Sequence, residues 1–161
     1  MEQLKLFEEP RPYKYIIDTS SILSQKNNEQ NRRTVHKRMW EYIDSLVSDK
    51  IIVTCTEIFD EIGDEEYANW LKSLGCVVLE VDEEIQRNVT TVVTNHPKLI
   101  EFKRAKSSGD AFLIATAIKY DLIIVTEENR DKQNKIPRVA SALGIRSMNI
   151  IELCENEGKE F

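Results

Sequence analysis

The stretch DAFLIATAIKYDLIIVTEEN, Asp110 to Asn129, runs from one periodicity into another without a break. Ala111, Leu113, Ile114, Ala117 and Ile118 are apolar at helical spacing, and Leu122 to Val125 are apolar at every position. The first pattern predicts a helix, the second a short strand covered on both faces. A helix feeding straight into such a strand is the repeating unit of a parallel sheet with helices packed on it.

The same alternation holds outward from this unit. YKYII (Tyr13–Ile17), IIVT (Ile51–Thr54) and CVVLEV (Cys76–Val81) read as strands, and IRSMNIIEL (Ile145–Leu153) supplies a fifth. TVHKRMWEYIDSLVSDK reads as a helix that Thr34 caps, and DEEIQRNVTTVVTNHP as one capped by Asp82. CTEIFDEIGDEEYANWLKSLG reads as two helical stretches broken near Gly63 and stopped by Gly75. IPRVASALG is a short helix with Pro137 near its first position. The expectation is an α/β fold with a mostly parallel central sheet of about five strands. Residues 1–12 read as an N-terminal tail, 13–154 as a single domain and 155–161 as a C-terminal tail.

A chain of 161 residues that is 41% hydrophobic can bury one ordinary core. Five Gly, four Pro and a 31% charged fraction describe a globular chain rather than a disordered one. The net charge of −6 argues against a general attraction to nucleic acid, although local patches decide binding. Cys55, Cys76 and Cys154 are far apart and form no CxxC pair, and the chain has only two histidines. Neither a zinc site nor a disulfide framework follows; buried free thiols do. No apolar run approaches the roughly 20 residues of a membrane span. MEQLKLFEEP has no basic-then-apolar signal pattern, so a cytoplasmic protein without a membrane partner is expected.

In parallel α/β folds the site lies beyond the C-terminal ends of the strands, where the helices returning antiparallel to them begin. Asp18 follows YKYII directly, and Glu127 and Glu128 follow LIIVT. Asp110 opens the helix before that strand. Glu57 lies in the first turn after IIVT, with Glu61 one turn on and on a nearby face. Acids from four distant segments can therefore meet at one edge. Clustered carboxylates repel, and a divalent cation offsets that repulsion. Oxygen ligands without Cys or His favour Mg²⁺ or Mn²⁺, one or two ions, which would activate water and stabilise a phosphoryl transition state. Each acid also has a plainer role, as a helix cap for Asp18 and Asp110 and as solvated surface for the glutamates. The functional reading rests on their convergence.

YIIDTSSIL resembles the opening motif of the PIN-domain family of metal-dependent ribonucleases. SGDAFLIATAIKYDLIIVTEEN is similar to its later motif, and EIFDEIGDEEYANWLKSLG and KIPRVASALGIRSMNIIEL resemble a small bacterial PIN-like subgroup of unassigned function. The resemblance covers Tyr13 to Leu153. It implies a three-layer α/β/α sandwich and an acidic quartet that serves as catalytic metal ligands: Asp18, Glu61, Asp110 and Glu128. Glu57 and Glu127 are the reserves. Glu128 stands where the family usually has Asp, and its extra methylene moves the carboxylate outward. Ser20 and Thr126 match small hydroxyl positions lining the site. The resemblance further implies an endoribonuclease acting as the toxin of a toxin–antitoxin pair, blocked by an antitoxin protein, and a homodimer.

An acidic site needs help to hold RNA. NRRTVHKR supplies Arg32, Arg33, Lys37 and Arg38, and KRAK supplies Arg104 and Lys106 beside Lys103. ENRDKQNK with Arg138 adds Arg130, Lys132 and Lys135. These runs could hold phosphates, or be ordinary solvated charge. Trp40, Tyr42 and Trp70 fit packing better than base stacking. Other classes fit less well. Haloacid-type phosphatases need a second Asp where Ser20 stands, a receiver domain needs an acidic pair and a late Lys, and a Rossmann site needs a Gly-rich first turn. The alternative is a catalytically silent PIN-like module that binds RNA or protein. Structured or double-stranded DNA is a further candidate substrate.

Overall fold

The structure, a computed structural model, describes residues 13–18, 35–60, 62, 65–97, 108–127 and 136–161. Five strands alternate with helices along these residues. They are β1 (Tyr15–Ile17), α1 (Lys37–Ser48), β2 (Ile52–Cys55), α2 (Thr56–Asp60), α3 (Glu65–Ser73), β3 (Val78–Leu79) and α4 (Glu83–Asn95). There follow α5 (Ser108–Tyr120), β4 (Ile123–Val125), α6 (Ile136–Ala142), β5 (Ser147–Met148) and α7 (Ile150–Asn156). The strand order is β3-β2-β1-β4-β5, and each neighbouring pair is parallel. This is the expected α/β fold.

β1 is the middle strand, and Tyr15, Ile16 and Ile17 are fully buried. Successive side chains point to opposite faces. Ile16 joins Val53 and Ile124 under α2, α4, α5 and α6. Tyr15 and Ile17 join Ile52 and Val125 under α1, α3 and α7. Helices thus cover both faces, which makes three layers. On the second face Met39, Trp40, Ile43, Leu46 and Val47 of α1 point inward. Trp40 meets Trp70 edge-on at 6.3 Å, and the Trp70 indole N–H donates to Asp44 at 3.0 Å, so both tryptophans are packing residues.

Several boundaries follow local chemistry. Asp82 caps α4, its Oδ1 accepting from the Ile85 N–H at 2.9 Å. Gly75 ends α3 with φ of +69°, a conformation that costs glycine little. The proposed fifth strand over IRSMNIIEL requires correction: pairing stops at Met148, and Ile150–Asn156 is helix. Asn149 and Glu152 form a reciprocal cap, with bonds of 2.8 and 3.0 Å, that turns the backbone into α7. Ile150, Leu153 and Cys154 then face the core at i, i+3 and i+4. At the start of α1 the cap position is His36, which makes no side-chain cap bond. Thr34 and Gly63 lie outside the described residues.

α7 runs on into the segment 155–161. Glu157 accepts hydrogen bonds from Lys14 at 2.6 Å and from the Tyr15 hydroxyl at 2.5 Å, and Asn156 donates to the same hydroxyl at 2.7 Å. The three cysteines are free. Burial pushes the Cys55 and Cys154 thiols up to about 11 and that of Cys76 to about 12, so each stays protonated near neutrality. Among the described residues, no helix is long and apolar enough to cross a membrane.

Candidate active site

The register of β1 and β4 sets the floor of the site. Ile17 pairs with Val125, and the Asp18 N–H donates to the Val125 carbonyl at 3.1 Å. Asp18 is therefore level with Thr126, whose own N–H donates to Met148 at 2.9 Å. Alternation places Asp18 on the face of Ile16 and Thr126 on that of Ile124, so both lie on the side covered by α5. α5 returns toward the start of β4, and its own first turn lies at the opposite end, beyond the strand C-termini. Asp110 is in that turn, one helical turn before the buried Leu113 and Ile114. It thus lies on the sheet-facing stripe of α5.

Two carboxylates and a hydroxyl converge on one face at one end of the sheet, and all three are buried. Asp18 is 2% exposed, Thr126 3% and Asp110 8%. Asp18 takes part in polar interactions, and among the described residues its buried Oδ2 accepts no hydrogen bond. Burying a carboxylate is costly without a compensating charge or donor. Such a pocket suits a hard cation bound through oxygen. Soft-metal chemistry suits it poorly, because the two buried acids and the hydroxyl offer only oxygen donors.

Glu57 is half-buried in the first turn of α2 and close enough to Cys55 to add to the rise of its pKa. Glu127 is half-buried just past β4. Glu61, Glu128, Ser20, Arg32, Arg33, Arg104, Lys106 and Arg130 lie outside the described residues. Among the described residues, no three of His, Cys, Asp and Glu are grouped closely enough to hold a metal ion. Lys37 and Arg38 are exposed in the first turn of α1, on the sheet face away from Asp110. They line a groove of about 600 Å³ with Val35, Ile151 and Phe161.

The sequence matches, over residues 15–161, the family described as Domain of unknown function (DUF4411). The chain belongs to the DUF4411 family. Several solved structures share the fold of this DUF4411 member. FitAcB from Neisseria gonorrhoeae is 17% identical, with 85% of this chain and 98% of that chain covered at a TM-score of 0.51. VapBC-1 from nontypeable Haemophilus influenzae is 14% identical, with coverages of 85% and 98% and a TM-score of 0.53. DNA-bound VapBC from Salmonella typhimurium is 14% identical, with coverages of 86% and 98% and a TM-score of 0.52. No curated protein matches this DUF4411 chain in sequence.

Proposed function

We propose that this DUF4411 protein is a metal-dependent endoribonuclease and the toxin component of a toxin–antitoxin pair. The observation that supports the reading best is the burial of Asp18 and Asp110, from distant segments, on one face beyond the strand ends. In this reading Asp18 and Asp110 hold Mg²⁺ or Mn²⁺ together with Glu61 and Glu128, and Glu57 and Glu127 are the alternatives for the latter two. The bound ion supplies Lewis-acid stabilisation of charge on the phosphoryl oxygens. The chain's own contribution is positional. Asp18 rides on the central strand and Asp110 on a helix packed against it, so their separation is fixed by the core rather than by a loop. Thr126 offers a hydroxyl at the same edge to orient a ligand or a water, and the reading assigns Ser20 the same role.

An antitoxin protein and a homodimer belong to the same proposal. Support comes from the likeness to VapBC structures and from the exposed apolar side chains Val35, Ile151 and Phe161 beside Lys37 and Arg38. Light scattering of the purified protein tests the dimer.

The test of activity is an RNA digestion series with Mg²⁺, Mn²⁺ or chelator, run beside Asp18→Asn and Asp110→Asn. Cleavage is expected with either metal and not with chelator. Each substitution is expected to lower it at least about a hundredfold, beyond the 10–100-fold range typical of residues that only orient metal ligands. Cleavage that survives both substitutions rejects this site. RNA binding without cleavage in either metal selects the silent binding module.

A further inference from the structure

Beside Thr126 lies a cavity of about 710 Å³ that the acidic cluster does not account for. Its lining includes Thr126, Arg138, Ser141, Arg146, Ser147 and Asn149. Thr126 is level with Asp18 across the β1–β4 pair, so the cavity adjoins the candidate active site. It runs along β5, the last strand in the sheet order.

The charge of this cavity opposes that of the chain. Two arginines face one acid in its lining, whereas the whole protein carries −6. The acid, Glu152, is committed in part to the α7 cap, its Oε1 accepting from the Asn149 N–H at 3.0 Å. Arg138 and Arg146 are exposed, and among the described residues neither forms an ion pair. Their backbones are nonetheless fixed. The Arg146 carbonyl accepts from the Ile124 N–H at 2.9 Å, and Arg138 is flanked on α6 by the buried Pro137 and Val139. Two guanidinium forks on rigid elements, with the Ser141 and Ser147 hydroxyls in the same lining, offer the donors that a phosphodiester accepts from. A positive cavity on an acidic protein draws a polyanion to one place rather than to the surface at large.

We propose that this cavity is a second phosphate subsite, in which Arg138 and Arg146 hold a backbone phosphate of the RNA strand that is cut at Asp18 and Asp110. The assignment rests on the ribonuclease reading for the identity of the strand. The cavity anchors the chain to one side of the cut, and the acidic pocket then receives only the phosphate aligned with it.

The test measures binding of a mixed-sequence, single-stranded RNA oligonucleotide in EDTA, where no cut occurs, over a range of salt. Arg138→Gln and Arg146→Gln should each weaken binding about three- to fivefold. Each should also lower the salt slope by about 0.7, the value for one phosphate contact on a single strand. Arg→Lys at both positions should restore the slope. In Mn²⁺ the double Gln variant should raise KM and leave kcat near that of wild type. Wild-type affinity and slope in the double Gln variant overturn the proposal. So does arginine-dependent binding of polyglutamate with RNA binding unchanged, which would make the cavity a dock for an acidic protein. Arginine-dependent RNA binding by a protein that never cuts supports the subsite and removes the ribonuclease reading. Cleavage lost in Asp18→Asn, with no arginine effect on binding or KM, does the reverse.

Discussion

Where β1 begins, Glu157 accepts bonds from Lys14 and Tyr15 at 2.6 and 2.5 Å; where β1 stops, Asp18 is 2% exposed on the face under α5. The two ends of one strand handle acids in opposite ways. At the entry end the carboxylate is tied to a half-exposed lysine, and such a pair contributes about 0–1 kcal/mol. At the exit end Asp18 and Asp110 are taken out of water, which costs several kcal/mol per ion before compensation. The entry end ties its carboxylate to the chain, and in the proposed reading the exit end offers its carboxylates to a metal ion. Removing a negative charge should therefore weaken the fold at the first place and spare it at the second.

The largest expected effect tests the exit end. Asp18→Asn and Asp110→Asn should each lower RNA cleavage at least about a hundredfold, while thermal unfolding without divalent ions stays where it was or rises. A large loss of stability in the ion-free protein would make these acids structural and erase the contrast. The next effect is ion-linked stability. Mn²⁺ at about 100 times its Kd should stabilise wild type by about 2.7 kcal/mol, because it binds the folded chain. Asp18→Asn should lose that gain, as read by thermal shift with and without the ion.

Much of the exit end was legible in the sequence, because its elements announce themselves by period. A fully apolar run ending on Asp18, and a helix beginning at Asp110 and running into LIIVT, place both acids on one edge before any side chain is positioned. The register that levels Asp18 with Thr126 was not legible, since pairing between strands far apart in sequence depends on tertiary contacts. Arg146 gave no signal either. It stands outside every basic run and acquires a partner in Arg138 only when β5 packs beside α6. The misread end of the chain has a local cause. IRSMNIIEL is rich in β-branched residues, and what overrides that propensity is the Asn149–Glu152 capping box. Asn149→Ala should cost about 1 kcal/mol in urea unfolding. A change within measurement error would assign the helix to core packing by Ile150 and Leu153 instead.

The smallest effect probes the entry end and has a definite sign with pH. Burial pushes the Glu157 carboxyl up, but hydrogen bonds from Lys14 and Tyr15 more than offset this, and its pKa lies below the ordinary glutamate value. A carboxylate with a depressed folded pKa contributes stability that is present above its unfolded pKa and is lost as pH falls through the folded one. At the alkaline end Lys14 is held above the usual lysine value, chiefly by its bond to Glu157. Its share is complete below the unfolded lysine pKa and is lost only as pH rises through the higher folded one. The pair is therefore intact throughout the neutral range. Glu157→Gln should cost about 0.5–1 kcal/mol near pH 7. The gap between variant and wild type should narrow as pH is lowered from about 7 to about 3, across the carboxylate range. Parallel pH curves for Glu157→Gln and wild type would show that the pair contributes nothing, and the entry end would then owe its cohesion to the packing of Tyr15 alone.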